Sequence, residues 1–392
     1  MSGQPMKFGI FMAPFHRVGD NPTLAMQRDL ELIQWLDYLG YDEAWIGEHH
    51  SAGWEIIASP ELMIAAAAER TKHIMLGTGV TSLPYHHPLL VADRMVQLDH
   101  MTRGRAMLGV GPGALTSDAY MMGIEPTTQR PRMEEALDAI IALLSGETVN
   151  MKTDWFELRD ASLQLLPYTR PCFPIAVASV LSPAGMLAAG KHGLGVLSIG
   201  ASVTGEVDGI RKHWALAEEA AANNGKTMDR AEWRLVKSLH LAETREQAYR
   251  DVEIGERRET VSYFQQTLGQ PEGPNSLEEL VRLGVNIVGT PDDAIEALEK
   301  LQTDSGGFGG LLIRATEWAN REATMRSFEL LARYVMPHFQ DSVRTTIGSR
   351  EYVSSNRRTI FAPSQQALAK AFTDAGKDVP EVLKQRVAQL RP

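Results

Sequence analysis

Short apolar runs alternate with segments of helical periodicity along most of this chain, and that alternation constrains the fold more than any other feature. We predict eight strands, at residues 7–15, 42–47, 74–81, 106–111, 174–179, 195–199, 233–241 and 310–313. Strands that are separated by helices pair in parallel and carry the helices on their outer faces. Eight such units close a (β/α)8 TIM-like barrel, and an open doubly wound sheet is the alternative.

Two segments interrupt the alternation, and a tail follows it. Residues 145–173 read as a small β excursion, and residues 250–285 as a polar helical insertion with a Gly- and Pro-rich loop at 269–275. We therefore assign residues 1–340 to one barrel domain and residues 341–392 to a C-terminal extension. From residue 342 onward the extension carries nine Lys and Arg against four Asp and Glu. It is either a solvated tail or an arm that packs on a neighbouring subunit.

Composition excludes several classes of partner and site. The net charge of −10 gives no support to a nucleic-acid or anionic-membrane partner. The single cysteine, Cys172, permits neither a disulfide within the chain nor a cysteine-based metal site, and it fits a reducing cytoplasm. The N-terminal segment lacks a secretory pattern, and no apolar run reaches transmembrane length. We expect a cytoplasmic protein.

Acidic and histidine side chains collect where predicted strands end, which in a barrel is the active-site face. The second strand runs into Glu48, His49 and His50, and the third is followed by His86 and His87. The spacing is not the H-E-x-x-H pattern of a helical metal site, and no Asp or Cys accompanies it at ligand spacing, so we predict no metal. A histidine that acts as general base and a purely structural cluster both remain open.

Two further strand ends indicate a ligand. The run GVGPGA at 109–114 has the spacing G-x-G-x-G, which differs from the dinucleotide fingerprint G-x-G-x-x-G. Its glycines fit either close approach of the backbone to a flat ligand or a tight turn. Ser179 and Ser182 precede an Ala- and Gly-rich helix, whose N-terminus is either an anion site or an ordinary Ser-Pro cap.

Taken together, these residues resemble the bacterial luciferase-like superfamily of flavin-dependent monooxygenases, over about residues 7–340. The resemblance rests on the Glu48-His49-His50 signature and on a long run whose spacing matches without a gap. That run reads LGTGV from Leu76, then Leu83-Pro84, His87-Pro88, Leu98-Asp99, Met101, Gly104-Arg105 and Gly109. Within the superfamily, the stretches FGIFMAPFH and GYDEAWIGEHHSAGW resemble proteins described as limonene 1,2-monooxygenases.

The resemblance implies a barrel that binds FMN at its mouth, with FAD as the alternative flavin and a separate NAD(P)H-dependent reductase delivering the reduced flavin. Oxygen would then form a flavin C4a-hydroperoxide in a dry pocket. The implied cofactor-binding residues are Gly79, Val80 and Gly111 along the ring, Ser179 and Ser182 at the phosphate, and Ala114 and Val180 beside them. The arginine with which luciferase helps to hold the phosphate is replaced here by Pro112. The helix N-terminus or another arginine should therefore compensate the phosphate charge.

The resemblance also implies His49 as the catalytic residue, with Glu48 orienting it. The candidate walls of a pocket for a small apolar substrate, with terpenoids as a candidate class, are Phe11, Met12, Phe15, Trp54 and Tyr85. Members of the superfamily assemble, so we expect a homo-oligomer. The alternatives are a deazaflavin-dependent oxidoreductase that transfers hydride, a non-catalytic flavin-binding protein and, more distantly, a metal-dependent hydrolase.

Overall fold

Eight parallel strands form a closed barrel in the computed structural model, which describes residues 5–13, 15–180, 182–199, 207–273 and 276–389. We number the barrel strands β1 (Lys7–Met12), β2 (Glu43–Ile46), β3 (Met75–Thr78), β4 (Ala106–Gly111), β5 (Ile175–Ser179), β6 (Gly195–Ser198), β7 (Trp233–Leu241) and β8 (Gly310–Arg314). Consecutive strands pair in parallel, and β1 pairs with both β2 and β8, so the sheet closes. The predicted barrel is confirmed.

Helices follow each barrel strand and cover the outside of the sheet. They span Pro22–Leu39, Pro60–Ala68, Pro88–Thr102, Thr116–Met121, Pro126–Leu144, Ala184–His192, Val207–Asn223, Arg245–Arg258, Leu277–Arg282, Pro291–Ser305, Arg321–Leu330 and Met336–Gln340. Short 3₁₀ turns lie at Leu83–Tyr85 and Arg230–Glu232, and π-helical stretches at Glu259–Thr267 and Leu331–Val335. The Ala- and Glu-rich sequence after residue 205 predicts a helix that begins at about that residue, and this start lies outside the described residues.

Side chains of the strands alternate between two apolar layers, as a period of two requires. Along β1, Phe8, Ile10 and Met12 pack in the layer between sheet and helices, whereas Phe11 points into the barrel. The interior layer also contains Trp45, Met107, Ala176, Leu197, Val236 and Leu312. These side chains fill the middle of the barrel.

A charged pair closes the opposite end of the barrel, where the strands begin. Arg234 donates to both oxygens of Glu43, at 2.6 and 2.8 Å, and Glu43 also accepts from the indole of Trp45 at 2.9 Å. The guanidinium carbon lies 5.4 Å from the Trp45 ring centroid. Arg234 and Glu43 are 1% and 2% exposed, so their attraction is little screened by water.

The third strand differs from the prediction of a single strand over residues 74–81. It ends at Thr78, the peptide bond between Gly79 and Val80 is cis, and Thr81–Ser82 then pair with β4 instead of continuing β3. The first strand is also shorter than predicted and ends at Met12.

Both predicted interruptions are visible as separate elements. The first is an antiparallel hairpin of Val149–Lys152 and Glu157–Ala161. The second contains Arg245–Arg258, Glu259–Thr267 and Leu277–Arg282, with residues 274–275 outside the described part. It returns through a strand that we did not predict, Asn286–Gly289, which pairs with residues 238–241 of β7.

The chain divides into two compact units, Met1–Phe339 and Gln340–Pro392. The second unit contains the helices Arg344–Ser355, Arg357–Asp374 and Glu381–Gln389, and no residue of the first two helices is buried. Their exposed apolar side chains include Ile347, Tyr352, Ile360, Phe361 and Leu368. Across the described residues, no helix has the length and apolar character needed to cross a membrane.

Candidate active site at the barrel mouth

His49 lies between two carboxylates just beyond the end of β2. Its Nδ1 is 3.1 Å from Asp118, and its Nε2 is 3.1 Å from Glu55. The backbone N–H of His49 donates to Ile57 at 3.0 Å, which fixes the loop, and Asp118 comes from the short helix Thr116–Met121 after β4. The imidazole is therefore held at both nitrogens, by groups that are distant in sequence.

These two contacts determine the charge of His49. Burial opposes protonation, but the hydrogen bonds to Asp118 and Glu55 and their negative charges outweigh it, and the pKa of His49 rises to about 10. Protonated His49 in turn lowers the pKa of Asp118 against the effect of burial. At neutral pH the ring is an imidazolium that donates from both nitrogens, and is not poised to act as a base.

The sequence predicted that Glu48 orients His49. In the structure, Glu48 does not orient His49 and belongs to a second cluster. Its Oε1 lies 2.9 Å from Nε2 of His50 and 2.7 Å from Nε2 of His86, and its Oε2 accepts the backbone N–H of Ser82 at 2.8 Å. Burial opposes ionisation, yet the hydrogen bonds from both histidines lower the pKa of Glu48 to about 2. Glu48 thus ties the β2 loop to the segment after β3, while His87 faces Phe156 of the hairpin segment.

Aromatic side chains form a wall beside His49. Phe15 and Trp54 pack with Tyr263 from the π-helical stretch, at ring-centroid distances of 5.0 and 5.5 Å from the tyrosine. The guanidinium of Arg314, at the end of β8, lies 4.8 Å from the Phe15 ring centroid and donates to Ser238 of β7 at 2.9 Å. The wall thus joins β1, the β2 loop and the insertion.

The other predicted pocket residues lie in different places. Phe11 is part of the filled barrel interior, and Met12 is fully buried on the helix side of β1, because neighbouring residues of a strand face opposite ways. Tyr85 is half-buried at the mouth, where its ring lies 6.1 Å from that of His50 and its hydroxyl accepts from Gln129 at 3.2 Å. Burial raises the pKa of Tyr85 to about 12.

The glycines near the mouth are explained in part by internal packing. A Cβ at Gly111 would lie 2.7 Å from the side chain of Val80, and one at Gly79 would lie 2.8 Å from Trp45. Val80 packs on the barrel interior and remains partly exposed. The backbone at Gly79, Val80 and Gly111 therefore forms a close-packed apolar platform on top of the filled barrel.

Polar groups gather where β5 ends. The hydroxyl of Ser179 is buried and has no hydrogen-bond partner among the described residues. The hydroxyl of Ser182 accepts from Nε of Arg130 at 3.4 Å, and the helix that begins at Ala184 has no side-chain cap. Val180 follows Ser179 and is exposed, as is Ala114 in the loop after β4. Arg130 places a cation beside Ser182.

Four residues of this arrangement were missed from the sequence: Asp118, Glu55, Tyr263 and Arg130. Each is an isolated polar residue in a helix or loop, with no pattern around it. Of the four, only Glu55 lies close in sequence to the histidine signature, and that position is the one signal that could have drawn attention to it. Among the described residues, no group of three His, Cys, Asp or Glu side chains is arranged to hold a metal ion.

Comparisons with known proteins agree on the family. The family model for luciferase-like monooxygenases matches residues 6–306. The chain is 48% identical to 4-hydroxyprotoasukamycin monooxygenase of Streptomyces nodosus subsp. asukaensis over 92% of this chain and 99% of that protein. It is 45% identical to limonene 1,2-monooxygenase of Rhodococcus erythropolis over 93% of this chain and 95% of that protein.

A solved structure supports the same assignment. The oxygenating constituent of 3,6-diketocamphane monooxygenase from Pseudomonas putida, a type II Baeyer-Villiger monooxygenase in complex with FMN, superimposes with a TM-score of 0.74. It is 27% identical, over 85% of this chain and 99% of that one. The resemblance read from the histidine signature and the 76–109 run is confirmed. The chain belongs to the luciferase-like monooxygenase family and is a flavin monooxygenase.

Proposed function

We propose that this protein is the oxygenase component of a two-component system. A separate NAD(P)H-dependent reductase supplies reduced FMN, with FAD as the less favoured flavin, and the enzyme uses O2 to oxygenate a small apolar substrate in the cytoplasm. The observation that carries the proposal is that the mouth combines a protonated, largely buried His49 with an unpartnered buried hydroxyl at Ser179. The FMN-bound oxygenating constituent from Pseudomonas putida supports it by homology.

The residues at the mouth fit FMN on structural grounds. A buried hydroxyl without a partner is costly, and a phosphate would satisfy Ser179 while Ser182, Arg130 and the uncapped helix N-terminus complement its charge. The platform of Gly79, Val80 and Gly111 would lie against a flat ring, with Ala114 and Val180 at its edge. Bound in reduced form, the flavin supplies the electrons that activate oxygen.

His49 would then hold a proton beside the reacting centre. Its two N–H groups are engaged by Asp118 and Glu55, so the imidazolium would donate to a developing negative charge when one of these contacts opens. Glu48 would act at a distance, by holding His50 and His86 and so fixing the loop that carries His49. Both roles follow from contacts of this chain.

The substrate would enter beside the aromatic wall of Phe15, Trp54 and Tyr263. An apolar wall favours a compound that is mostly apolar. The relatives are named for limonene and 4-hydroxyprotoasukamycin, which differ from each other. We therefore propose an apolar substrate, with a terpenoid as the first class to test.

The decisive experiment mixes the protein, reduced FMN and oxygenated buffer in a stopped-flow spectrophotometer. We expect flavin reoxidation to follow a course different from that in buffer, and limonene to yield a product one oxygen atom heavier. His49→Ala should retain FMN binding and lose product. Reoxidation identical to that in buffer would refute the proposal, and tight binding of a deazaflavin without FMN binding would favour hydride transfer.

We also propose that residues 341–392 are an arm that packs on a second copy of the chain. From residue 342 the arm has a charge of +5, whereas the remaining residues sum to −15, and its helices expose apolar side chains. Light scattering after size exclusion should give an oligomer for the full chain and a smaller mass for Phe361→Asp. Tyr120→Asp, a change at an exposed aromatic of the barrel unit, is the matched control. Equal masses for wild type and Phe361→Asp would refute the arm.

A further inference from the structure

His49 has no free ring nitrogen, because Asp118 and Glu55 each lie 3.1 Å from one of them. A single carboxylate is sufficient to orient an imidazole, as in a histidine whose other nitrogen faces a substrate. A second buried carboxylate adds a desolvation cost that only a further role would offset. Glu55 is 5% exposed, so water screens its interaction with His49 only weakly.

Glu55 is itself held by a residue 208 positions away. The hydroxyl of Tyr263 donates to Oε1 of Glu55, while Oε2 faces Nε2 of His49, so the carboxylate bridges phenol and imidazole. Tyr263 is 2% exposed and packs against Phe15 and Trp54. The backbone of Glu55 forms an isolated bridge with Phe15, which limits how the loop can move.

Other charged groups around this chain of contacts come from several elements. His50 follows His49 on the β2 loop, and its backbone N–H donates to Asp118 at 3.1 Å. Ser51 also donates to Asp118. From the insertion, Glu259 pairs with Arg314 of β8 at 2.6 Å, next to the Tyr263 segment. Among the described residues, Glu55 and Asp118 are the carboxylates that touch the His49 ring.

We propose that Glu55 and Tyr263 are positioning residues for His49, with Glu55 retaining the proton on Nε2 and Tyr263 holding Glu55 against the ring. The inference rests on the proposed role of His49 and deepens it. It makes the proton content of the active-site imidazole depend on a residue of the helical insertion. No bond is made or broken by Glu55 or Tyr263, which act through hydrogen bonds alone.

The test is an NMR titration of the full-length protein without flavin, labelled with ¹³C at histidine Cε1. The His49 signal is assigned by its loss in His49→Gln, and its midpoint in the wild type should lie near the pKa of about 10. In Glu55→Gln the midpoint should fall by about 1 to 3 pH units, the usual effect of one adjacent charge. In Tyr263→Phe it should fall less, by about 0.5 to 1 unit, because Glu55 loses its anchor.

Matched controls separate this effect from general disturbance. Glu256→Gln removes a different buried carboxylate from the insertion, and Tyr249→Phe removes a different half-buried hydroxyl from it. Neither should move the His49 midpoint. An unchanged midpoint in Glu55→Gln would overturn the proposal, and an unchanged midpoint in Tyr263→Phe would overturn the part assigned to the tyrosine.

The titration also separates this inference from the proposed function, because it requires neither flavin nor substrate. If the protein proves unable to oxygenate any compound, the midpoints still show whether Glu55 and Tyr263 set the proton on His49. In the working enzyme, the alkaline limb of kcat/KM should move to lower pH in Glu55→Gln. A uniform loss of rate without that movement would indicate a purely structural carboxylate and would overturn the positioning role.

Discussion

Replacing Glu48 with Gln gives a sharp test of how the mouth is stabilised. Glu48 is 3% exposed and accepts hydrogen bonds from His50, His86 and the backbone of Ser82. The amide keeps the size of the carboxylate but loses its charge and one acceptor oxygen. The variant therefore removes the electrostatic part of the cluster and leaves the packing in place.

The expected magnitude follows from the shift in pKa. Contacts in the fold lower the pKa of Glu48 from 4.5 to about 2. At about 1.36 kcal/mol for each unit, the ionised carboxylate contributes about 3 kcal/mol to the free energy of unfolding. Because the folded-state pKa is depressed, this contribution is complete above pH 4.5 and is lost as pH falls through 2. The deficit of Glu48→Gln should thus be about 3 kcal/mol at pH 7 and about 1.4 kcal/mol at pH 3.

Urea unfolding followed by tryptophan fluorescence measures this deficit at pH 7, 5, 4 and 3. The matched control is Glu243→Gln, which removes an exposed carboxylate paired with Arg326 and should cost less than about 1 kcal/mol. A Glu48→Gln deficit that equals the control, or that stays constant down to pH 3, would contradict the reasoning. It would mean that the histidines hold a neutral side chain at position 48 as well as they hold the charged carboxylate.

Three further predictions concern the phosphate site, the barrel base and the imidazole. Ser179→Ala should weaken FMN binding about five- to tenfold in a fluorescence titration without lowering stability, because the hydroxyl has no protein partner to lose; a loss of stability would show a hidden partner. Glu43→Gln should lower the free energy of unfolding by about 3 kcal/mol, measured in urea, because Arg234 stays buried with less compensation; a smaller cost would assign the pairing to Glu232. The stability difference between wild type and His49→Gln should shrink by about 1.4 kcal/mol per unit as pH rises from 6.5 to 10. The stabilisation is complete below pH 6.5 because the folded-state pKa is raised, and equal pH dependence of the two unfolding energies would show a neutral ring.

Periodicity was sufficient to predict the barrel, because burial on both faces leaves a direct record in the sequence. Each barrel strand is an apolar run, and each is followed by a helix with a polar face. The strand Asn286–Gly289 was not predicted, because a run of four residues before a helix cannot be distinguished by sequence from a loop that contains apolar residues. The end of β3 was not predicted for a different reason. Thr81–Ser82 pair with β4, and this pairing depends on the neighbouring strand and not on the local sequence.

The position of the candidate site was predicted from the sequence, but the hydrogen bonds within the site were not. The strand-end rule placed Glu48, His49 and Ser179 at one face of the barrel, and the structure has them there. Which carboxylate contacts which histidine depends on loops and helices that converge from elsewhere in the chain. Asp118 and Tyr263 come from 69 and 214 positions beyond His49, so no local pattern could have linked them to it.

The length of β7 bears on how this enzyme could acquire new substrates. Residues 233–235 pair with β6 and residues 234–237 with β8, whereas residues 238–241 pair with Asn286–Gly289, so the insertion rejoins the sheet at a part of β7 that pairs with neither barrel neighbour. The segment that carries Tyr263 thus begins after β7 and returns to its end, and between these points its side chains contact Glu55 and Arg314 at the mouth. A change in the length of this segment would therefore alter the wall of the site while the register of the barrel strands stays the same.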